Sequence, residues 1–219
     1  DADLERAVEG AMASKYRNSG QTCVCANRIF VQSGVYEEFS RRLVEEVEKL
    51  KVGRGVDPDV EQGPLIDQAA LEKVSRHVDD ALKRGARLLT GGHPHDLGGT
   101  FFQPTVLADV EADMSVAVNE TFGPVAPLIR FENEDDVLRM ANSTPYGLAS
   151  YFYARDLGRI FRVAEALEYG MVGINTGMIS TEVAPFGGIK QSGIGREGSR
   201  YGIDEYVEMK YLCIAGIEA

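Results

Sequence analysis

The sequence predicts an α/β fold, an open and mostly parallel sheet with flanking helices. Two observations carry that expectation. Amphipathic stretches with apolar residues at three- and four-residue spacing alternate with short β-branched runs, and such alternation implies parallel strands joined by right-handed helical crossovers. The chain has 219 residues, 44% of them hydrophobic, which is enough for one core of ordinary size.

Asp1 or Asp3 can cap a first helix that turns Leu4, Ala7, Val8, Ala11 and Met12 inward. The turn formers Asn18-Ser19-Gly20 should stop it near Tyr16. Residues 26–32 read as a strand with Ile29 and Val31 on one face. A second helix, from about 35 to 50, places Phe39, Leu43, Val47 and Leu50 inward. Residues 53–67, rich in Gly, Pro and Asp, form a loop, and a third helix runs from about 67 to 84 on Leu71, Val74, Val78 and Leu82. Strands are expected at 87–90, 102–107 and 125–131, then a helix at 134–142, a strand at 149–154, a helix at 157–168 and a strand at 172–175. After Gly177 the pattern turns irregular and Gly-rich. Residues 205–214 alternate as a final strand, placed to pair with another domain or subunit as an added edge. We therefore divide the chain into a cysteine-bearing catalytic α/β unit, 1–190, and a Gly-rich segment with its C-terminal strand, 191–219.

Bulk properties exclude several classes. Lys and Arg total 23 against 34 Asp and Glu, a net charge of -11 without a basic stripe, so no nucleic acid partner is expected. No apolar run is long enough for a membrane span, and no signal-peptide pattern opens the chain. Three cysteines in no framework spacing point to a reducing, cytoplasmic setting. The chain opens at Asp1-Ala2-Asp3 without Met, directly before a helical pattern, and we expect it to be part of a longer polypeptide.

Cys23 is the prime candidate for chemistry. It sits in a Gly-containing break between a helix and a strand, where a thiol can be partly exposed near backbone N–H donors. Cys25, two residues on, reads either as a packed thiol or as a redox partner sharing a strand face with Cys23. Cys213 reads as a packing residue. Arg17 lies at the mouth of the same break; it either grips an anionic substrate or simply ends a surface helix. In Glu120-Thr121-Phe122-Gly123-Pro124 a carboxylate suited to ribose hydroxyls stands beside an aromatic suited to a flat heterocycle; a capped turn with a core Phe is the equal alternative.

Other patterns carry less. Gly193-Ile194-Gly195-Arg196-Glu197-Gly198 matches G-x-G-x-x-G in letters, but no buried strand precedes it, so it is not a dinucleotide fingerprint. His93-Pro94-His95 lacks a third nearby ligand and reads as an exposed loop, so no metal site is expected. His77 lies mid-helix and reads as ordinary, and no His pairs with Ser or Cys in a protease-type arrangement.

Taken together, these segments resemble the aldehyde dehydrogenase superfamily. Gly20-Gln21-Thr22-Cys23 is similar to its catalytic cysteine signature, Glu120-Thr121-Phe122-Gly123-Pro124 to its cofactor-contacting motif, and Pro185-Phe186-Gly187-Gly188 through Gly195-Arg196-Glu197 to its late Gly-rich motif. Gly63-Pro64-Leu65-Ile66 and Tyr146-Gly147-Leu148 fit as well. Within the superfamily, Gln21-Thr22-Cys23-Val24-Cys25-Ala26-Asn27-Arg28 and the tail from Arg196 to Tyr206 look most like the subgroup that oxidises succinate semialdehyde. The resemblance implies Cys23 as nucleophile, Glu120 and Phe122 against NAD or NADP, and Arg17 with Ser180 on the carboxylate of a small aldehyde. It also implies a homo-oligomer, dimer or tetramer, assembled through the C-terminal strand. The superfamily's nucleotide-binding domain and general-base glutamate precede the segment that Asp1-Ala2-Asp3 resembles. We accordingly expect these residues alone to show no dehydrogenase turnover. Glutarate semialdehyde, one methylene longer, is the rival substrate, and a non-catalytic folding or assembly module is the rival class.

Overall fold

The computed structural model describes residues 1–217. Its first helix, α1 (Leu4–Tyr16), starts where Asp3 accepts a hydrogen bond from the Arg6 N–H at 3.3 Å. Then come β1 (Ile29–Gln32), α2 (Tyr36–Val47) and α3 (Gln68–Lys83), the last capped by the Asp67 carboxylate on the Ala70 N–H at 2.7 Å. The second half holds β2 (Arg87–Thr90), β3 (Thr105–Ala108), the short α4 (Ser115–Val118), β4 (Val125–Phe131) and α5 (Glu134–Asn142). It continues with β5 (Tyr146–Gly147), β6 (Ala149–Phe152), α6 (Leu157–Ala166), β7 (Met171–Ile174) and β8 (Ile189–Lys190).

The main sheet has the order β1-β4-β3-β2. β4 is parallel to both β1 and β3, and its residues Val125 to Ile129 are buried on both faces. Because successive strand side chains point to opposite faces, β3 and β4 feed two cores. Leu107, Val125 and Ile129 pack with Leu71, Val74 and Val78 of α3. Val106, Ala108, Ala126 and Leu128 pack on the other side with Val8 and Ala11 of α1 and Phe39 and Leu43 of α2. Two buried phenols brace that side: the Tyr16 hydroxyl donates to the Thr105 carbonyl at 2.8 Å, and that of Tyr36 to Leu128 at 3.1 Å. β6 and β7 form a separate parallel pair, with α6 as the crossover, and β5 pairs antiparallel with β8. None of the helices among the described residues is long and apolar enough to cross a membrane.

β2 runs antiparallel to β3, because its connection is the Gly-rich loop 91–104 and holds no crossover helix, an edge that a mostly parallel sheet admits. Three expectations need correction. The strand expected from 102 pairs only from Thr105, while Phe102 makes an isolated bridge to Pro94. The strand expected from 26 begins at Ile29, because residues 22–25 close a turn in which the Cys25 N–H donates to the Thr22 carbonyl at 2.9 Å. Cys23 and Cys25 therefore do not share a strand face. The C-terminal strand expected over 205–214 is absent: Gly202–Tyr206 is a 3-10 turn, and residues 207–217 make no ladder. A strand exists only against a partner, and among the described residues no sheet edge pairs with that segment; Tyr206, Met209 and Tyr211 stand in solvent.

Candidate functional site

The cysteine turn is built from strained backbone that several side chains hold in place. After α1 the chain doubles back through Arg17–Gly20, where Asn18 (φ 50) and Ser19 (φ 57) are left-handed, a conformation costing roughly 1–2 kcal/mol for each non-glycine residue. Gly20 (φ 73) completes the reversal against Gly123, whose carbonyl oxygen would lie 2.2 Å from any added Cβ. Compensation comes from the neighbouring loop. The Ser19 hydroxyl donates to Gly63 at 3.0 Å, the Gln21 amide to Pro64 at 3.2 Å, and Gln21 Oε1 accepts the Ile66 N–H at 2.9 Å. This explains why a Gly-Pro-Leu-Ile run 40 residues away belongs to the same site.

Within the turn, Val24 is buried and Cys23 is exposed. The Cys23 N–H has no acceptor among the described residues, so it is free to donate to an oxyanion formed beside the sulfur. Cys25 is half-buried and its thiol donates to the Arg17 carbonyl at 3.6 Å, toward the base of the turn. The Tyr151 hydroxyl, reaching in from β6, donates to the Val24 carbonyl at 2.8 Å.

Glu120 and Phe122 follow α4 and are tied to the same turn. Asn27 donates to the carbonyls of Val116 (3.3 Å) and Asn119 (2.9 Å) and accepts the Thr121 N–H at 3.0 Å. Thr121 is buried, with its hydroxyl 3.1 Å from His77 Nδ1 on α3. Burial and the nearby Lys73 and Arg76 hold His77 below its ordinary pKa. Phe122 takes φ 52, and Glu120 projects into solvent. An exposed carboxylate beside a half-buried ring, with no ion pair on that carboxylate among the described residues, is a donor set that fits ribose hydroxyls and a nicotinamide face.

Arg17 meets the third wall. Its Nη1 lies 3.3 Å from Met178 Sδ, in the loop after β7. That loop is seated by Asn175, which bonds the Ala154 backbone in both directions at 3.0 and 2.8 Å, and by Gly177, whose Cβ position would lie 2.3 Å from the Gly10 carbonyl of α1. Ser180 lies exposed two residues beyond Met178 and makes no hydrogen bond to Arg17. The structure thus brings Arg17, Cys23, Cys25, Glu120 and Phe122 around one turn, with Ser180 on the adjoining loop.

Two residues of this site escape sequence reasoning. Tyr151 lies inside a plain strand pattern, and Lys15 inside a plain helix pattern. Yet Lys15 is 1% exposed, faces Cys25 and Glu120, and makes no ion pair among the described residues. Burial lowers its pKa to about 8. A charged residue one turn before the strained reversal was the only available signal. The weaker patterns are local structure: His95 Nδ1 accepts the Leu97 N–H, and the Gly193–Gly198 run folds back so that Phe186 and Glu197 exchange backbone hydrogen bonds.

Fold and site together define an α/β protein that presents an exposed thiol between an arginine and a carboxylate-bearing loop. The chain belongs to the aldehyde dehydrogenase family, whose pattern matches residues 1–212. It is 62% identical over 218 residues to the 3-sulfolactaldehyde dehydrogenase of Pseudomonas putida, covering 100% of this chain and 45% of the relative. It is 64% identical to the NADP(+) succinate-semialdehyde dehydrogenase GabD of Escherichia coli, covering 98% of this chain and 44% of the relative. The crystal structure of succinate-semialdehyde dehydrogenase from Burkholderia pseudomallei superposes with a TM-score of 0.97 at 64% identity, over 99% of this chain and 45% of that one. The chain therefore spans under half the length of the relatives it matches.

Proposed function

We propose that this chain carries the nucleophile of an NAD(P)-dependent aldehyde dehydrogenase acting on a small aldehyde with a carboxylate, succinate semialdehyde above others. The observation that supports this reading is the exposed Cys23 sulfur, with a free backbone N–H at its own residue and Arg17 at the mouth of its turn.

Cys23 as thiolate attacks the carbonyl carbon; the C–S bond forms as the carbonyl π pair moves to oxygen, and that oxyanion accepts the Cys23 N–H. Arg17 binds the far carboxylate, with Ser180 as its hydroxyl partner. Glu120 and Phe122 would hold the cofactor, which would supply the acceptor for a hydride. As the oxyanion pair re-forms the C=O, the C–H bond of the tetrahedral carbon breaks with its electron pair and leaves a thioester on Cys23, which water cleaves, releasing the acid and restoring the thiol. Cys25, its thiol turned to the Arg17 carbonyl, serves as a packed thiol beneath the turn. Residues 1–190 form the catalytic unit, and the exposed tail from 191 meets another domain or subunit in a cytoplasmic homo-oligomer.

Glutarate semialdehyde is the second reading, since one methylene changes discrimination by only ~1–3 kcal/mol. The test is turnover by the full-length protein with NAD+ or NADP+ and each acid aldehyde, against an uncharged aldehyde of equal length. A kcat/KM at least tenfold higher for succinate semialdehyde than for the uncharged aldehyde supports the proposal. Turnover that survives Cys23→Ala refutes it.

A further inference from the structure

Residues 22–25 carry the reactive sulfur, yet Tyr151 makes the only side-chain hydrogen bond to their backbone among the described residues. It comes from 127 residues away in the chain, through a hydroxyl 2.8 Å from the Val24 carbonyl. The other restraints act on the turn's ends: Cys25 N–H to Thr22, Ala26 N–H to Ser14, and the Gln21 amide to the loop at Pro64.

The sheet makes room for that tether. Tyr151 stands opposite Gly173 in the parallel β6–β7 pair, and a Cβ at 173 would lie 2.7 Å from Tyr151 Cδ1. Glycine weakens a strand interior unless something must approach closely, and here the phenol ring does so. The ring is thereby fixed against the sheet and its hydroxyl aimed at the turn. Tyr153 supplies an internal contrast: it lies two residues on, its ring is packed over Gly10, and its buried hydroxyl has no partner.

We propose that Tyr151 is a positioning residue for the Cys23 nucleophile, acting through the Val24 carbonyl. The proposal rests on the dehydrogenase reading above. Holding that carbonyl fixes the Val24–Cys25 peptide, one link past Cys23, and so limits the backbone rotation that would swing the Cys23 N–H and side chain away from the face they share. A nucleophile and its oxyanion donor work only in a narrow geometry, and a displacement of about 1 Å costs on the order of 100-fold in rate. Burial pushes the Tyr151 phenol up to about 12, so it stays protonated and able to donate throughout the working range. Arg17, Cys25, Tyr153 and Cys23 are the titratable groups that face it.

The test is Tyr151→Phe in the full-length protein, which keeps the ring and removes only the hydroxyl. We expect kcat to fall roughly tenfold or more with KM for the aldehyde changed less than threefold. Alkylation of Cys23 by iodoacetamide, mapped by mass spectrometry, should slow by a similar factor. Tyr153→Phe should match the parent protein in both assays. A Tyr151→Phe protein within twofold of the parent in both kcat and Cys23 alkylation overturns the proposal, as does an equal loss in Tyr153→Phe. If Cys23 of the parent protein reacts no faster than Cys213, the failure lies instead with the dehydrogenase reading, and the tether falls with it.

Discussion

Asn27 and Thr121 are joined by a hydrogen bond of 3.0 Å, Thr121 N–H to Asn27 Oδ1, that links the cysteine turn to the Glu120–Phe122 segment. The Asn27 amide adds two donations, to Val116 and Asn119, so a single side chain satisfies backbone groups on both sides of Glu120. Whatever moves the turn also moves the carboxylate.

Asn27→Ala strands the N–H of the buried Thr121 and frees two carbonyls. Leaving a buried donor unsatisfied costs ~1–3 kcal/mol, so urea unfolding should show a loss of about 2 kcal/mol. Cofactor KM should rise while KM for the aldehyde stays within twofold. An unchanged unfolding midpoint would show that water replaces the amide without cost.

Arg17→Leu tests the anion grip. A hydrogen bond to a charged group contributes ~1.5–3 kcal/mol, so kcat/KM for an acid aldehyde should fall about 10- to 150-fold. Kinetics on an uncharged aldehyde should barely change. Met178→Ala removes the thioether that the guanidinium rests on at 3.3 Å and should give a smaller loss of the same kind. Equal losses on charged and uncharged aldehydes would remove Arg17 from substrate binding.

Lys15 gives a pH signature. Its pKa falls from 10.5 to about 8 on folding, equivalent to about 3 kcal/mol at order-of-magnitude level. Between those values the unfolded chain binds more protons than the folded one, so this contribution to stability rises with pH from about 8 and is at its most unfavourable below that. Lys15→Met should therefore be more stable than the parent at pH 7, and the gap should narrow as pH rises from 8 toward 10. Retaining the lysine despite this cost fits a role beside Glu120 and Cys25. A gap that is constant over that range would show the ammonium to be solvated.

The helices and the central strands were legible because each has a strong local signal. The Asp3 and Asp67 caps, the three- and four-residue spacing in α2 and α3, and the apolar run of β4 point to one outcome. Arg87–Thr90, Val125–Phe131 and Glu134–Asn142 match the reading residue for residue. What escaped depends on contacts distant in sequence. The antiparallel turn of β2 follows from its loop, and the two-residue strands β5 and β8 are defined only by each other. The C-terminal alternation is real, but among the described residues no strand pairs with it. The site divides in the same way. Cys23, Arg17 and Glu120 sit in marked local sequence, whereas Tyr151 and Lys15 gain their meaning from a hydrogen bond across 127 residues and from burial.

The turn makes Cys23 reactive beyond its exposure, and Cys213 provides the control: contrary to the packing role expected for it, it is exposed, because the segment around it packs against no described strand, and it lies outside any such turn. The direct measurement is competitive labelling of the full-length protein with limiting iodoacetamide at neutral pH, read as modification rates at each cysteine. The account predicts Cys23 labelled at least tenfold faster than Cys213, with labelling suppressed by an acid aldehyde. Equal rates at the two cysteines, unaffected by the aldehyde, would contradict it.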